Sequence, residues 1–247
     1  MRIPRIYTDT PLAVGQTAAL DDNAAQHVGR VLRMQAGQAL LLFNGDGHDY
    51  HATITEAGKK HVLVAVTEAA ENETESPLRV VLAQTLSKGD RMDYAVQKAT
   101  ELGVTRIVPL TSERCDVRLR GDREDKRLKH WQQVAISAAE QCGRARVPQL
   151  MPVMSLPEWF DLARDCDLRL VLHHRTEQSL TTLARPTRVA LMIGPEGGFS
   201  GDEVAAAEAA GFVPVALGPR VLRTETAPVA ALTLCQWLWG DFGGHRG

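Results

Sequence analysis

Two short segments near the end of the sequence carry residue types that suit a ligand-binding site. Residues 194–200 read Gly-Pro-Glu-Gly-Gly-Phe-Ser, and residues 218–226 read Gly-Pro-Arg-Val-Leu-Arg-Thr-Glu-Thr. The glycines of the first segment let backbone amides approach a ligand closely, although a plain tight turn explains them equally well. In the second segment, the Glu225 carboxylate can accept a proton and the Arg223 guanidinium can stabilise a developing negative charge. Glu196 is a second candidate base.

Each segment follows an apolar run that predicts a buried strand. Residues 189–193 are consecutively apolar, which is typical of a parallel strand covered on both faces. Residues 200–203 form a capping-box pattern that predicts a helix over 201–210, and residues 212–217 predict the next strand. Pro214 lacks an amide donor, which favours a sheet edge or a bulge. Because ligands of open α/β sheets bind beyond the carboxyl ends of strands, we expect both segments at one binding edge.

The two segments resemble the S-adenosylmethionine site of the SPOUT methyltransferases, and most closely that of the ribosomal RNA small subunit methyltransferase E family. The similarity spans 193–199 and 217–227, with Val221 where isoleucine is common in that family. Neither segment is a G-x-G-x-x-G or a Walker motif, so neither a dinucleotide nor a nucleoside triphosphate is indicated. The resemblance implies S-adenosyl-L-methionine as the cofactor. The expected cofactor contacts are Leu172, His173, Gly194, Pro195, Glu196, Gly197, Gly198, Leu217, Gly218, Val221, Leu222 and Thr224.

Composition indicates a globular protein without a strong overall charge. The 247 residues are 44% hydrophobic, and the net charge of −2 disfavours binding to polyanions through bulk charge alone. The cysteines lack C-x-x-C spacing and the adjacent His173 and His174 are weak evidence for a metal, so no metal is expected. The first residues lack an apolar core of signal-peptide length, and the longest uncharged run, 226–240, is too short for a membrane span. These features favour a cytoplasmic location.

Residues 1–70 predict a small, mainly β unit with one helix. The Asn-Gly-Asp-Gly run at 44–47 predicts a hairpin, and a helix is expected over 23–34 with Asp22 as its cap. Six Lys or Arg residues stand against seven Asp or Glu in this unit, so its cations form either an RNA-facing stripe or a solvated helix face. The resemblance implies a PUA-like, RNA-binding β-barrel domain. The candidate RNA contacts are Arg2, Arg5, His27, Arg30 and Arg33.

Residues 71–77 are polar and acidic and predict a linker. Beyond them, alternating strands and helices over 78–243 predict an α/β domain with a mainly parallel sheet and helices on both faces. Only the resemblance implies that the chain from about residue 168 onward threads a deep trefoil knot. A basic run containing Arg114 and Arg118 is either a solvated surface or a further phosphate contact.

The function that the resemblance favours is S-adenosylmethionine-dependent methylation of N3 of a uridine in 16S rRNA of the small ribosomal subunit. Its catalytic candidates are Arg223, Glu225 and Glu196. The structural alternative pairs Arg223 with Glu225, or uses Glu225 to favour the N-terminus of the next helix. The alternative functions are a non-catalytic protein for RNA binding or ribosome assembly, and a SPOUT methyltransferase acting on another RNA.

The composition of the last predicted helix indicates how the chain assembles. Residues 228–239 contain no charge, and a helix that is apolar all round is buried on more than one side. The resemblance implies a homodimer with this helix in its interface, and closed two-fold dimers are the commonest oligomers. Burial within the core of one subunit is the alternative.

Overall fold

The computed structural model describes residues 3–59, 61–174, 176 and 178–243. Arg2, a predicted RNA contact, lies outside these described residues. The chain divides into two compact units, of which the first contains Met1–Glu75 with Ala139–Val147 and the second contains Ser76–Ala138 with Pro148–Gly247. No local pattern predicts that residues 139–147 group with the first unit, because that grouping depends on contacts between residues far apart in the chain.

The first unit is built on a five-stranded sheet with the order β1-β3-β4-β5-β2. Its strands are β1 (Arg5–Tyr7), β2 (Thr17–Ala19), β3 (Ala39–Phe43), β4 (His48–Ala57) and β5 (Val62–Glu71). β1 and β3 are parallel, whereas the other neighbours are antiparallel. Val62, Val64 and Val66 alternate with more exposed residues and are buried on one face of the sheet. The predicted hairpin at 44–47 is confirmed, since it joins the antiparallel pair β3 and β4.

The helix of the first unit differs from the prediction of one continuous helix over 23–34. Helix α1 (Asp22–Gln26) ends early and passes into a π-helical turn over His27–Val31. Its cap is Asp21, not Asp22, because Asp21 has an extended backbone and its carboxylate accepts hydrogen bonds from the first-turn amides. Gly29 lies so close to Gly58 that an added Cβ would sit 2.2 Å from the Gly58 carbonyl oxygen. This contact with a distant loop cannot be read from helical periodicity.

The second unit is built on a six-stranded sheet in which every paired strand is parallel, with the order β11-β9-β10-β6-β7-β8. Its strands are β6 (Arg79–Thr85), β7 (Arg106–Leu110), β8 (Gln149–Leu150), β9 (Leu168–Leu172), β10 (Arg188–Ile193) and β11 (Val213–Val215). The predicted parallel α/β sheet is confirmed. β10 is central and buried over Val189–Ile193, whereas Pro214 lies in the edge strand β11, where a missing amide donor is tolerated.

Helices connect these strands. They are α2 (Arg91–Glu101), α3 (Asp122–Cys142), α4 (Leu156–Leu162), α5 (Gly201–Ala209) and α6 (Thr226–Trp239). The capping box predicted at Ser200 is present, with Glu203 as the returning carboxylate, and Ser155 and Glu158 form a second one at the start of α4. Within the described residues, no helix is long and apolar enough to cross a membrane.

Helix α6 packs against α2 and is only partly buried within the chain. Gln236 Nε2 donates to the Leu102 carbonyl at the end of α2 over 2.9 Å, and Gln236 Oε1 accepts from Ser76 Oγ over 2.6 Å. One face of α6 is buried, with Leu232 fully enclosed. The opposite face leaves Leu234 39% and Trp237 60% exposed. The helix is therefore apolar all round, as predicted, and retains an uncovered apolar face.

Candidate active site

A cleft of about 160 Å³ opens at the carboxyl edge of the parallel sheet, between the loops that follow β9, β10 and β11 and the start of α6. All parallel strands present their carboxyl ends to this edge, which is where ligands of open α/β sheets bind. The cleft is lined by Leu172, His173, Gly194, Pro195, Glu196, Gly197, Gly198, Leu217, Gly218, Val221, Leu222 and Thr224, which are the residues predicted as cofactor contacts. His174, Ile193, Val215, Ala216, Arg220 and Ala227 complete the lining.

The loop after β10 is a tight, internally packed turn. The Gly198 amide donates to the Pro195 carbonyl over 2.9 Å, and Gly198 has a φ of 67°, a left-handed conformation that favours glycine. Gly194 packs against the buried Phe199, whose ring would lie 3.1 Å from an added Cβ. The glycines therefore serve the turn itself as well as the cleft, and the two explanations left open by the sequence are compatible.

Thr224 joins the two segments singled out in the sequence. Its hydroxyl donates to the Gly194 carbonyl over 3.1 Å and accepts from Gln84 Nε2 over 3.0 Å. Thr224 is 4% exposed and Gln84 is 1% exposed, so this connection is shielded from water. Gln84 Oε1 is buried and has no hydrogen-bond partner among the described residues. The bond fixes the position of the 218–226 segment against the glycine loop.

Arg91 brings the two candidate carboxylates together. It is the first residue of α2, and its guanidinium donates to Glu196 Oε1. Its Nε also lies 3.8 Å from Glu225 Oε2. The sequence reasoning missed Arg91, although one signal was available: residues 86–91 follow the first strand of the α/β domain and therefore lie at its binding edge.

Arg223 and Glu225 occupy different environments on either side of the buried Thr224. Arg223 is exposed, and in the described part of the chain no carboxylate lies within ion-pairing distance of it. Glu225 is half-buried, and its Oε2 is inaccessible and accepts no hydrogen bond from a described residue. Glu225 stands at the N-cap position of α6, yet its side chain makes no capping hydrogen bond. The enclosed Oε2 therefore lies beside the Arg91 guanidinium and is not open to a substrate, which leaves Oε1 as the oxygen for any proton transfer.

The loop after β7 carries two further basic candidates. Arg114 Nη1 donates to the Gly197 carbonyl over 3.0 Å, so this arginine is tied to the glycine loop. Arg118 lines a second, larger cleft of about 590 Å³. Lys88 Nζ lies 2.7 Å from Asp116, and this hydrogen bond holds the pKa of the Asp116 carboxyl below its usual value. The loop is therefore fastened at two places near the first cleft.

The basic candidates of the first unit separate into inward-facing and exposed residues. The Arg5 guanidinium donates to the Ala139 and Arg144 carbonyls and pairs with Asp49 at 2.5 Å, with its side chain 10% exposed. We therefore assign Arg5 a structural role. His27 Nδ1 lies 3.9 Å from Glu140 Oε2. The remaining two, Arg30 and Arg33, are both exposed.

The described residues contain no cluster of three or more histidine, cysteine or carboxylate side chains arranged to hold a metal ion. His173 and His174 have ring centroids 5.6 Å apart. All four cysteines are free, and burial raises the pKa of Cys235 to about 12, which keeps it a thiol at neutral pH.

Comparison with known families identifies the class of protein. Residues 74–236 match the family model of an RNA methyltransferase domain, and residues 20–67 match that of an RNA methyltransferase PUA domain. The first match spans most of the α/β unit with its cleft, and the second lies within the five-stranded unit.

Relatives that match nearly the whole chain show which family of RNA methyltransferases it belongs to. The ribosomal RNA small subunit methyltransferase E of Buchnera aphidicola subsp. Acyrthosiphon pisum is 34% identical over 98% of this chain and 96% of its own. A putative methyltransferase from Legionella pneumophila, solved with S-adenosylmethionine, is 43% identical with a TM-score of 0.94, covering 98% and 100% of the two chains. The ribosomal RNA small subunit methyltransferase E of Neisseria gonorrhoeae, bound to S-adenosyl methionine, is 40% identical with a TM-score of 0.89 at the same coverage. The chain belongs to the ribosomal RNA small subunit methyltransferase E family, which confirms the resemblance of its two segments.

Proposed function

We propose that this protein transfers a methyl group from S-adenosyl-L-methionine to N3 of a uridine in 16S rRNA of the small ribosomal subunit. The observation that carries the proposal is the convergence of the two segments in one cleft, where Thr224 bonds the 218–226 segment to the glycine loop. Two solved relatives of high similarity hold S-adenosylmethionine. The family name supports rRNA as the substrate, and the choice of uridine N3 rests on the resemblance.

The residues of the cleft fit S-adenosylmethionine. Leu172, Leu217 and Leu222 offer apolar surface for the adenine, and the turn at 194–198 offers backbone polar groups. An added Cβ on Gly198 or Gly218 would meet no protein atom within 4 Å, which leaves open space beside the backbone. When bound, the cofactor supplies an electrophilic methyl group on a sulfonium.

Methyl transfer from a sulfonium is an in-line displacement, so we expect much of the acceleration to come from holding the uracil nitrogen and the methyl carbon in line. As the N–C bond forms and the C–S bond breaks, the proton on N3 must leave. We assign its acceptance to Glu225, directly or through a water, and the stabilisation of negative charge on the uracil carbonyl oxygens to Arg223. Glu196 is the reserve base. Arg91 acts as a positioning residue, because it contacts both carboxylates.

For RNA binding we propose cations of both units. These are Arg2, His27, Arg30 and Arg33 from the first unit and Arg114 and Arg118 from the second. Arg5 is omitted because its guanidinium is internally bonded and nearly buried. Phosphate contacts of this kind position an RNA without reading its bases.

We further propose that the protein is a cytoplasmic homodimer. The apolar face of α6 that includes Leu234 and Trp237 is uncovered within one chain, which supports an interface there. The closure of the five-stranded sheet into a PUA-like barrel and the deep trefoil knot are proposed from the resemblance. The strand order, in which β9 lies between β10 and β11, is compatible with the knot.

The test is methyl transfer by the purified protein. Small ribosomal subunits, free 16S rRNA and bulk tRNA are incubated separately with S-adenosylmethionine carrying a labelled methyl group, and nucleosides are analysed by mass spectrometry. We expect labelled 3-methyluridine from small-subunit rRNA. Label in tRNA alone would support a methyltransferase for another RNA. Absence of label from every RNA, with RNA binding intact, would support a non-catalytic binding protein.

A further inference from the structure

Residues 30–33, Arg-Val-Leu-Arg, form an exposed ridge on the first unit in which two aliphatic side chains stand between two arginines. Val31 is 67% exposed and Leu32 is 40% exposed. Their neighbours on either side, Val28 and Met34, are buried. Within residues 28–34, the exposed aliphatic surface is therefore confined to the ridge.

The ridge is held firmly although it is exposed. The Leu32 amide donates to the His27 carbonyl over 2.9 Å, which closes the π-helical turn, and the Met34 amide donates to the Val28 carbonyl over 3.0 Å. At its base, Gly29 packs against Gly58 at a distance that excludes any side chain. π-helical turns occur frequently at functional sites. The turn thus presents Val31 and Leu32 in a fixed position at the surface.

Arg33, the last residue of the ridge, has an unfavourable backbone conformation. Its φ of 54° makes it the only described non-glycine residue in the left-handed region. A bulky residue adopts this conformation rarely, and such strain persists where the surrounding structure enforces it. Here the buried Val28 and Met34 anchor both sides of the turn.

The charges around the ridge favour an anionic occupant. Neither Arg30 nor Arg33 has a carboxylate within 4.0 Å among the residues that the structure describes, and both side chains are exposed. A second copy of the chain related by a two-fold axis through the ridge would place arginines against arginines, which is unfavourable. An RNA strand offers phosphates for the arginines and, where a base is unpaired, a flat apolar face for the aliphatic side chains.

We propose that the 30–33 ridge is a base-contacting wedge: Val31 and Leu32 pack against the face of an unpaired base while Arg30 and Arg33 bind the phosphates beside it. The proposal rests on the proposed RNA substrate and adds to it a preference for unpaired over duplex RNA. Proteins that insert aliphatic side chains beside bases in this way unstack them, and RNA-binding proteins read mostly single-stranded loops.

The test uses an RNA hairpin with 2-aminopurine in its loop, whose fluorescence rises when the base is unstacked, and a fully paired duplex of equal length. The full-length protein is compared with the Val31→Ser, Leu32→Ser double variant. Val14→Ser is the matched control, because Val14 is 55% exposed in the same unit but lies outside the ridge. An Arg30→Gln, Arg33→Gln double variant separates the contribution of charge.

We expect the Val31→Ser, Leu32→Ser variant to show an about ten-fold smaller ratio of hairpin affinity to duplex affinity and no fluorescence rise. Its salt slope, the slope of log affinity against log salt concentration, should be unchanged. The Arg30→Gln, Arg33→Gln variant should lower the salt slope by about one unit per arginine and keep the fluorescence rise at equal occupancy. The control should match the wild type. Because all replaced side chains are exposed, the thermal unfolding midpoints should agree.

Two outcomes overturn the wedge while leaving the methyltransferase function intact. One is a Val31→Ser, Leu32→Ser variant that keeps the wild-type preference and fluorescence rise. The other is a variant that loses the preference but also sediments differently from the wild type, which would make the ridge a contact between copies of the chain. If the wild type binds neither RNA and methylates no rRNA, the proposed function fails and the wedge fails with it.

Discussion

Arg91 links the two carboxylates beside the proposed reaction centre. Its guanidinium donates to Glu196 and lies 3.8 Å from Glu225 Oε2. A cation that contacts both groups restricts where each carboxylate can point, and misplacement of a reacting group by about 1 Å can cost on the order of 100-fold in rate. We therefore expect Arg91 to position the two carboxylates, whereas the proposed acceptor of the proton is Glu225.

The roles of Glu225 and Arg91 can be distinguished by single-turnover methylation under saturating cofactor and RNA. We expect Glu225→Gln to lower the rate about 100-fold or more while both ligands still bind, because a positioned base is lost. Arg91→Ala should lower the rate about ten-fold, with partial recovery in Arg91→Lys. Lys98→Ala is the control, since Lys98 lies on the same helix and pairs with Glu101 at 2.8 Å. A near-wild-type rate for Glu225→Gln would transfer the role of base to Glu196.

Gly198 should be required for cofactor binding through its backbone conformation. With a φ of 67°, a β-branched residue at this position is strained by about 1–3 kcal/mol and the turn must shift. We expect Gly198→Val to weaken S-adenosylmethionine binding at least about ten-fold in isothermal titration. Gly15→Val introduces the same kind of strain at a φ of 81° in the other unit and should leave the affinity unchanged. Equal affinity of the Gly198→Val variant and the wild type would contradict the assignment of this loop.

At the scale of elements, one carboxylate of the first unit joins the residues that follow β1 to the start of α1. Asp21 Oδ1 accepts from the amides of Asn23 and Ala24, and its Oδ2 accepts from the Thr8 hydroxyl and the Asp9 amide. Partial burial opposes ionisation, but these hydrogen bonds outweigh it and the pKa of the Asp21 carboxyl lies below its usual value. Asp21 is therefore more than the cap of α1.

We predict that Asp21→Ala destabilises the protein by about 1–2 kcal/mol, because a cap is lost and the buried Thr8 hydroxyl loses its acceptor. Asp22→Ala is the matched control and should change the unfolding free energy by only a few tenths of a kcal/mol. The folded pKa of Asp21 is depressed, so the difference in unfolding free energy between wild type and Asp21→Ala should be greatest above the unfolded pKa near 3.9. It should shrink as the pH falls through the folded pKa. Urea unfolding at several pH values measures it, and a pH-independent difference would contradict the ionic role.

Elements with local signals were predictable from the sequence, whereas those set by distant contacts were not. The capping box at Ser200 and the apolar strand at 189–193 are local patterns, and the structure confirms both. The π-helical turn contains Gly29, which packs against Gly58, and the pairing of Arg91 with Glu196 joins residues 105 positions apart. No periodicity or propensity encodes such contacts, so the cleft lining could be predicted from the resemblance of its two segments but its charge network could not.

At the scale of the whole molecule, α6 should connect assembly to activity. Its exposed Leu234 and Trp237 lie opposite the face that packs within the chain. Large aromatic side chains near the centre of an interface often contribute 2 kcal/mol or more to association. If two-fold pairing through α6 builds the complete site, a weaker dimer must also be a weaker enzyme at low protein concentration.

We predict that the Leu234→Ser, Trp237→Ser double variant raises the dimer dissociation constant by about 30-fold or more, as measured by sedimentation equilibrium. Its specific activity should fall on dilution over the range in which the dimer dissociates. Tyr94→Ser is the control, because Tyr94 is 45% exposed on α2 and lies outside α6. A wild-type protein that is monomeric at micromolar concentration would contradict the dimer.

The most direct measurement of the central claim compares rRNA from cells that have and lack this gene. Small-subunit rRNA is digested to nucleosides and its 3-methyluridine is quantified by mass spectrometry, with the deleted strain complemented by the wild type or by Glu225→Gln. We predict that 3-methyluridine is lost on deletion, restored by the wild-type gene and not restored by Glu225→Gln. Unchanged 3-methyluridine in the deleted strain would contradict the account.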